Sequence, residues 1–185
     1  MVEDIITALS RFKSLFVIAR NSSFTYKGKA VDIKQVGREL GVRYVLEGSV
    51  RKAGGKVRIT GQLIDSETGA HLWADRFDGS LEHIFELQDQ VTTNVVGAVA
   101  PTVDQAEIDR AKRKPADNLD AYDFYLRGLP PSCVFTKESI EEALRLFYRA
   151  IELDPDFPTP YGMAARLLTD RKSTRLNSSH VSESR

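Results

Sequence analysis

Residues 42–79, VRYVLEGSVRKAGGKVRITGQLIDSETGAHLWADRFDG, decide the fold of the amino-terminal half. Apolar and polar residues alternate along 57–63, which is the period of a strand with one buried face. Gly54-Gly55 separates this run from a strand at 42–51, and a second turn at 66–69 leads to a third strand at 71–77. The stretch therefore predicts three antiparallel strands joined by two turns.

Helical patterns flank these strands on both sides. Residues 4–15 form an amphipathic pattern, 16–19 are a short apolar run that predicts a strand, and Asp32 is placed to cap a helix at 33–40. A long helix is predicted from Leu81 to Ala100, and Pro101 is expected to break or kink it. This order predicts an α+β fold, a small mixed or antiparallel sheet with helices packed on it.

After a hinge at 115–118 the pattern becomes purely helical, which predicts an all-α region. We expect a short helix at 121–128 interrupted by Pro130-Pro131, an amphipathic helix at 137–153, and a third helix that begins at Pro158. Small residues allow close helix contact, an aromatic ring fills the gap, and proline ends a helix. On this basis the residues that pack a tetratricopeptide-like repeat are Ala143, Phe147, Ala150, Pro155, Tyr161 and Ala164. The alternative is a generic amphipathic helix with an Asp-Pro stop.

Four segments resemble the TolB amino-terminal-like domain: 2–10 (VEDIITALS), 16–24 (FVIARNSSF), 44–51 (YVLEGSVR) and 68–79 (TGAHLWADRFDG). With the repeat, the resemblance implies the carboxy-terminal region of a proteobacterial class III adenylate or guanylate cyclase protein. The alternative that it implies is the effector module of a winged-helix transcriptional regulator. The family also has a strand upstream of the first helix, so we expect this domain to lack its first strand. The implied role is regulation or assembly, without a cyclase catalytic domain.

Four regions are expected along the chain: a TolB amino-terminal-like domain at 1–100, a helical linker at 101–118, a truncated tetratricopeptide-like region at 119–169, and a tail at 170–185. The tail is rich in serine and poor in apolar residues. We expect it to be non-native or disordered.

Composition narrows the classes of partner. Lys plus Arg and Asp plus Glu number 26 each, so the net charge of zero argues against nucleic-acid binding. The single cysteine, Cys133, excludes an internal disulfide. No apolar run approaches the roughly 18 residues of a membrane span. We expect a protein or peptide partner bound through the helical repeat, self-association through an exposed sheet edge, and a cytoplasmic location, with the periplasm as the alternative.

Candidate chemical sites are each better explained by structural roles. Asp65, Asp75 and Asp78 flank turns, where aspartate commonly accepts local hydrogen bonds. Gly54-Gly55-Lys56 precedes a strand, whereas a phosphate-binding loop precedes a helix. His71 and His83 have no ligands at zinc spacing, and His180 lies in the tail. Ser22-Ser23 has no recognisable base beside it. We therefore expect no catalytic residue, no cofactor and no metal.

Two further groups have both a binding and a structural interpretation. The basic cluster at 110–114 could contact nucleic acid or anionic lipid, but cations also complement the end of a helix dipole. Trp73, Phe77 and Tyr44 could form a ligand platform, but aromatic residues on a sheet more often belong to the core. The structural interpretation is favoured for both groups.

Overall fold

The computed structural model describes the backbone of residues 1–182 and the side chains of residues 1–170. The described chain has an α+β fold that divides into two compact units, Met1–Gln105 and Ala106–Arg185. The strands are β1 (Tyr44–Ala53), β2 (Lys56–Asp65) and β3 (His71–Ser80). The helices are α1 (Val2–Leu9), α2 (Arg20–Ser23), α3 (Ile33–Leu40), α4 (Ile84–Arg113), α5 (Ala121–Ser132), α6 (Lys137–Leu153) and α7 (Pro158–Ser182).

The first unit contains an antiparallel sheet in the order β1-β2-β3, which confirms the predicted strands. Gly54 and Gly55 have φ of 53° and 76°, the left-handed values that a two-residue hairpin turn of type I′ requires. In the second turn, the Asp65 carboxylate accepts hydrogen bonds from the backbone N–H groups of Glu67 and Thr68 at 2.8 and 3.1 Å. Both turns therefore use local chemistry that the sequence displays.

The core of this unit lies between one face of the sheet and the helices α1 and α4. Val57, Ile59 and Leu63 of β2 are buried, as are four residues of α4 at four-residue spacing, Leu87, Val91, Val95 and Val99. Full burial of such a side chain contributes about 1.5–3 kcal/mol. Phe77 belongs to this core, and Trp73 and Tyr44 pack against it, which confirms the structural interpretation of the three aromatic residues.

Gly61 makes room for Trp73. A Cβ atom at position 61 would lie 3.2 Å from the nearest atom of the Trp73 ring. Such a distance is shorter than ordinary van der Waals contact, so the indole packs directly over the backbone of β2. The glycine in the middle of a strand is therefore explained by the close approach of the aromatic ring.

The predicted strand at Phe16–Ala19 is wrong. These residues belong to no strand, and none of the three described strands pairs with them. Helix α1 also ends at Leu9, and the chain continues through tight turns in which Phe12 N–H bonds to Leu9 O and Leu15 N–H bonds to Phe12 O, both at 3.0 Å. An apolar run becomes a strand only when its backbone N–H and C=O groups bond to a neighbouring strand. Residues 16–19 have no such partner among the described strands and are irregular. The side chain of Phe16 is 90% exposed.

Helix α4 continues through Pro101, where a break or kink was expected. A proline inside a helix removes one hydrogen bond and costs about 3 kcal/mol. Val99, Ala100 and Val103 beside it are buried, and the Thr102 hydroxyl donates to the Ala98 carbonyl at 2.7 Å. Packing on both sides of the proline therefore outweighs its local cost. As a result, residues 101–113 of the expected linker are part of α4.

In the second unit, α5 also continues through the Pro130-Pro131 pair that was expected to interrupt it. Both prolines lie in its last turn, where their fixed φ is helical but each removes one backbone hydrogen bond to the preceding turn. The Ser132 hydroxyl donates to Leu129 O at 2.7 Å, and Cys133 N–H donates to Pro130 O at 3.2 Å. The connection to α6 is therefore shorter than expected.

Helix α6 has the predicted bounds and α7 begins at the predicted Pro158. The Thr136 and Ser139 side chains each bond the other's backbone N–H, a capping box that fixes the start of α6. The prediction for the tail at 170–185 concerns residues whose side chains, after Asp170, lie outside the described part of the chain.

Candidate protein-interaction site

Three of the predicted repeat residues lie on the buried side of α6, and one of them, Phe147, contacts α5. Ala143, Phe147 and Ala150 are completely buried. The Phe147 ring lies directly on Gly128 of α5, where a Cβ atom would be only 2.5 Å from Cε1 of that ring. A glycine facing an aromatic ring therefore sets the short distance between the two helices. Gly128 could not be recognised from the sequence as a packing residue, because its partner Phe147 is 19 positions away along the chain.

The contact between α6 and α7 involves a fourth predicted residue, Ala164, which is buried with Leu167 in the same cluster as Ile140 and Leu144. Tyr161 is 46% exposed, and its hydroxyl donates to the backbone carbonyl of Pro155 at 3.2 Å. The bond connects the start of α7 to the turn that ends α6. The structure thus brings all six predicted residues into one helical unit, and their role as a repeat stays a prediction.

An aromatic cluster supports this arrangement. The Tyr125 ring lies 6.1 Å from the Phe147 ring and 5.4 Å from the Phe157 ring, and Tyr122 lies 6.2 Å from Phe157. These separations are typical of favourable tilted and edge-to-face contacts. Tyr125 and Phe157 were not predicted as packing residues, because only the folded helices bring the two rings together.

One face of α6 forms, together with Phe124 of α5, a surface groove of about 690 Å³. Its apolar floor includes Leu144 and the half-exposed ring of Tyr148. The other lining residues are charged and of both signs: Glu141, Arg145, Arg149 and Glu152. Arg149 and Glu152 form an ion pair at 2.8 Å. We call this surface the α6 groove.

A buried ion network lies where the end of α4 meets α5. Asp123 is completely buried, and its carboxylate accepts a hydrogen bond from Lys114 Nζ and lies 3.8 Å from Arg110 Nη2. Asp120 lies 3.3 Å from the same ammonium group, and Glu107 lies 2.8 Å from Arg110. The hydrogen bond to Asp123 raises the pKa of Lys114 above its ordinary value. Burial opposes ionisation of Asp120, but hydrogen bonds from the Asp123 backbone and from Lys114 hold its pKa below the ordinary value.

Arg127 completes the network by capping the carboxyl end of α4. Its guanidinium donates to the backbone carbonyls of Ala111 and Lys114 at 2.9 and 2.6 Å. The last carbonyls of a helix lack the N–H partner four residues on, and a cation complements the negative end of the helix dipole. The basic cluster at 110–114 therefore serves in large part to join two helices, which leaves fewer of its cations for a phosphate surface.

The other candidate sites have structural roles in the described chain. The Asp78 carboxylate binds Arg58, and His83 Nδ1 lies 3.3 Å from Glu86 on an exposed helix turn. The Ser23 hydroxyl donates to the Arg20 carbonyl at 3.0 Å. Among residues 1–170, no group of three or more His, Cys, Asp or Glu side chains is arranged to hold a metal ion. In that part of the chain, no helix is both long enough and apolar enough to cross a membrane. His180 lies outside the residues whose side chains are described.

Residues 1–94 match the family described as HilA/YgeH-like transcriptional regulator, second domain. The chain belongs to this family. The HilA/YgeH-like second domain covers the sheet, α1 to α3 and the first part of α4. The TolB-like and tetratricopeptide assignments from the sequence stay predictions.

The HilA/YgeH-like chain also matches a curated protein named "Putative adenylate cyclase 3" from Rhizobium meliloti (strain 1021). The two are 49% identical over 165 residues, which is 89% of this chain and 27% of the relative. The chain thus spans about a quarter of the length of that relative. The crystal structure of lipoprotein GNA1162 from Neisseria meningitidis aligns with a TM-score of 0.37 and 19% identity, over 54% of this chain and 84% of that one.

Proposed function

We propose that the chain is a non-catalytic regulatory module of a bacterial signalling protein, the carboxy-terminal part of an adenylate or guanylate cyclase. The observation that carries the proposal is the continuous match over 165 residues to a segment of a cyclase-named protein. The match extends well past residue 94, so it includes the helical unit as well as the family domain. The two units are therefore proposed to act together as one accessory region.

The α6 groove is the proposed site for a protein partner. Tyr and Arg are enriched where proteins bind each other, and the groove presents Tyr148, Arg145 and Arg149 beside an apolar floor. In the proposed arrangement α5, α6 and α7 form a tetratricopeptide-like repeat, and the partner contributes a helical or extended segment. The residues that this repeat would pack are the buried alanines and Phe147 described above.

The first test asks whether the purified chain makes cyclic nucleotide from ATP or GTP with a divalent metal. We expect no product above a heat-inactivated control. The second step adds the chain to the Rhizobium meliloti relative from which the matched segment has been deleted, and measures binding and cyclase rate. We expect saturable binding, and Tyr148→Ala should weaken it about 10-fold, the effect of losing one aromatic contact in an interface.

Leu168→Ala is the matched control, because this α7 residue is 40% exposed, compared with 45% for Tyr148, and lies outside the groove. It should change binding by less than about two-fold. Cyclic nucleotide made by the chain alone would contradict the non-catalytic role. Equal losses of binding affinity in the two variants would contradict the groove as the site of the partner.

The alternative function is the effector module of a transcriptional regulator, which the family match at residues 1–94 favours. The cyclase relative is preferred because its match includes both units. If the cyclase lacking its matched segment neither binds nor responds to the chain, the transcriptional alternative is favoured. Self-association through a sheet edge is also a proposal, and size-exclusion chromatography over a range of concentrations tests it.

A further inference from the structure

The sheet of the first unit has a second face, opposite the core, that carries polar side chains from Glu47 to Arg51 of β1 and from Arg58 to Gln62 of β2. Along β2, Arg58 and Thr60 alternate with the buried Val57 and Ile59, so they project from the other side. Their partners in register lie on that same side, because paired residues of an antiparallel sheet share a face. We call this surface the open face, and its central residues are Ser49, Arg51, Arg58, Thr60, Arg76 and Asp78.

Two of the three arginines on the open face, Arg58 and Arg76, share one carboxylate. Asp78 lies 2.6 Å from Arg58 Nε and 3.3 Å from Arg76 Nε. Arg51 stands directly opposite Arg58 in the register of β1 and β2, and it has no acidic partner within the described residues. Like charges that face each other across two strands are unfavourable. The register therefore sets two arginines opposite each other, and the charge of Arg51 is left without a partner among the described residues, whereas that of Arg58 is paired with Asp78.

The open face can supply the hydrogen bonds that a carboxylate needs. The guanidinium of arginine presents a rigid fork of N–H donors that matches both oxygens of a carboxylate. The hydroxyls of Ser49 and Thr60 lie 2.8 Å apart, so one donates to the other and the remaining O–H is a further donor on this face. An incoming carboxylate would also supply Arg51 with the acidic partner that the described residues do not provide. Charge and hydrogen-bond geometry thus point to the same class of ligand.

We propose that the open face binds an acidic segment of a partner protein, with a carboxylate held between Arg51 and Arg58. This site goes beyond the proposed function, because it lies in the first unit and does not use the α6 groove. A nucleic acid is a less suitable ligand for the open face than an acidic peptide. Its phosphates carry one charge per about 1.7 Å along the duplex and would meet Asp78 and Glu47 on the same face. Separated carboxylates on a peptide fit between these acidic positions.

The test uses the whole chain and a fluorescein-labelled peptide of alternating glutamate and serine residues, measured by fluorescence anisotropy at low salt. We expect saturable binding that weakens as salt is added, because exposed charges are screened. Arg51→Gln should reduce the affinity about 10-fold, as expected for the loss of one bidentate charged contact. Arg51 is exposed, so the variant should keep the circular dichroism spectrum and melting temperature of the parent.

Lys52→Gln is the matched control, because it removes the same charge from the next residue. Lys52 pairs in register with Val57 and therefore lies on the other side of the sheet. We expect Lys52→Gln to change the affinity for the peptide by less than about two-fold. Absence of saturable binding, or equal losses for the two variants, would overturn the proposal. Tighter binding of a DNA duplex that also depends on Arg51 would show a nucleic-acid surface instead. Tyr148→Ala should leave peptide binding unchanged, which separates this result from that of the groove.

Discussion

Asp123 takes part both in the cap at the start of α5 and in ion pairs with the end of α4. Its backbone N–H donates a hydrogen bond to Asp120 Oδ1 at 2.8 Å, and its carboxylate accepts one from the Asp120 backbone N–H at 3.1 Å. The same carboxylate binds Lys114, while Oδ1 accepts no hydrogen bond and faces Arg110. The sequence shows the basic cluster, but its buried partner Asp123 lies 9 positions from Lys114 and 13 from Arg110, so this pairing could not be assigned before α5 was placed. Capping is local and predictable, whereas the pairing depends on the fold.

Asp123→Ala should lower the free energy of unfolding of the second unit by about 2–3 kcal/mol, because it leaves partly buried cations without their partner and removes a helix cap. Urea unfolding followed by circular dichroism measures the change. Asp117→Ala is the control, since Asp117 is exposed and lies in the same connection. It should change the free energy by less than about 0.5 kcal/mol. Similar values for the two variants would mean that the buried network does not stabilise the unit.

At the scale of helices and strands, the predictions succeed where the signal is local. The alternation along 57–63, the glycines of the first turn and the Asp-Pro stop after α6 each lie within a few residues of the element that they define. The prediction of a strand at Phe16–Ala19 is wrong because a strand also needs a second segment to pair with, and an apolar run alone does not show whether one is present. The breaks at Pro101 and at Pro130-Pro131 fail because burial of the surrounding residues outweighs the local cost of proline.

The contact between α5 and α6 gives a prediction at this scale. Ala143 is completely buried, so Ala143→Leu should cost about 1–3 kcal/mol through overpacking. Thermal unfolding of the two proteins measures the difference. Ala165→Leu on α7 is the matched control, because Ala165 is exposed and should tolerate the larger side chain. A neutral result for Ala143→Leu would show that the helices do not approach closely at this position.

At the scale of the whole molecule, each unit has a hydrophobic cluster of its own. Composition predicted a globular chain with room for one or two small domains, and the α+β class followed from the order of the elements. The division after Gln105 was not visible in the sequence, because it falls within α4 and no change of composition marks it. Neither was the α6 groove, since its lining comes from two helices.

Residues 171–185 contain only two apolar residues, Leu176 and Val181. Little apolar area is therefore available there to offset the entropy of ordering the segment. Deleting these residues should leave the melting temperature unchanged within about 1 °C. Differential scanning calorimetry of the full and shortened chains measures this. A drop of several degrees, roughly 1 kcal/mol for a chain of this size, would show that the segment packs.

The short sequence distance between Lys114 and Asp123 has a kinetic consequence for folding. Only nine positions separate the two residues, and loops of about ten residues close in roughly 10–100 ns. The entropy lost on closing such a loop is also small. The ion pair and the Asp120–Asp123 cap can therefore form while contacts between α6 and α7 are still open. Because local contacts favour fast folding, the turn between α4 and α5 is expected to be the folding nucleus of the second unit.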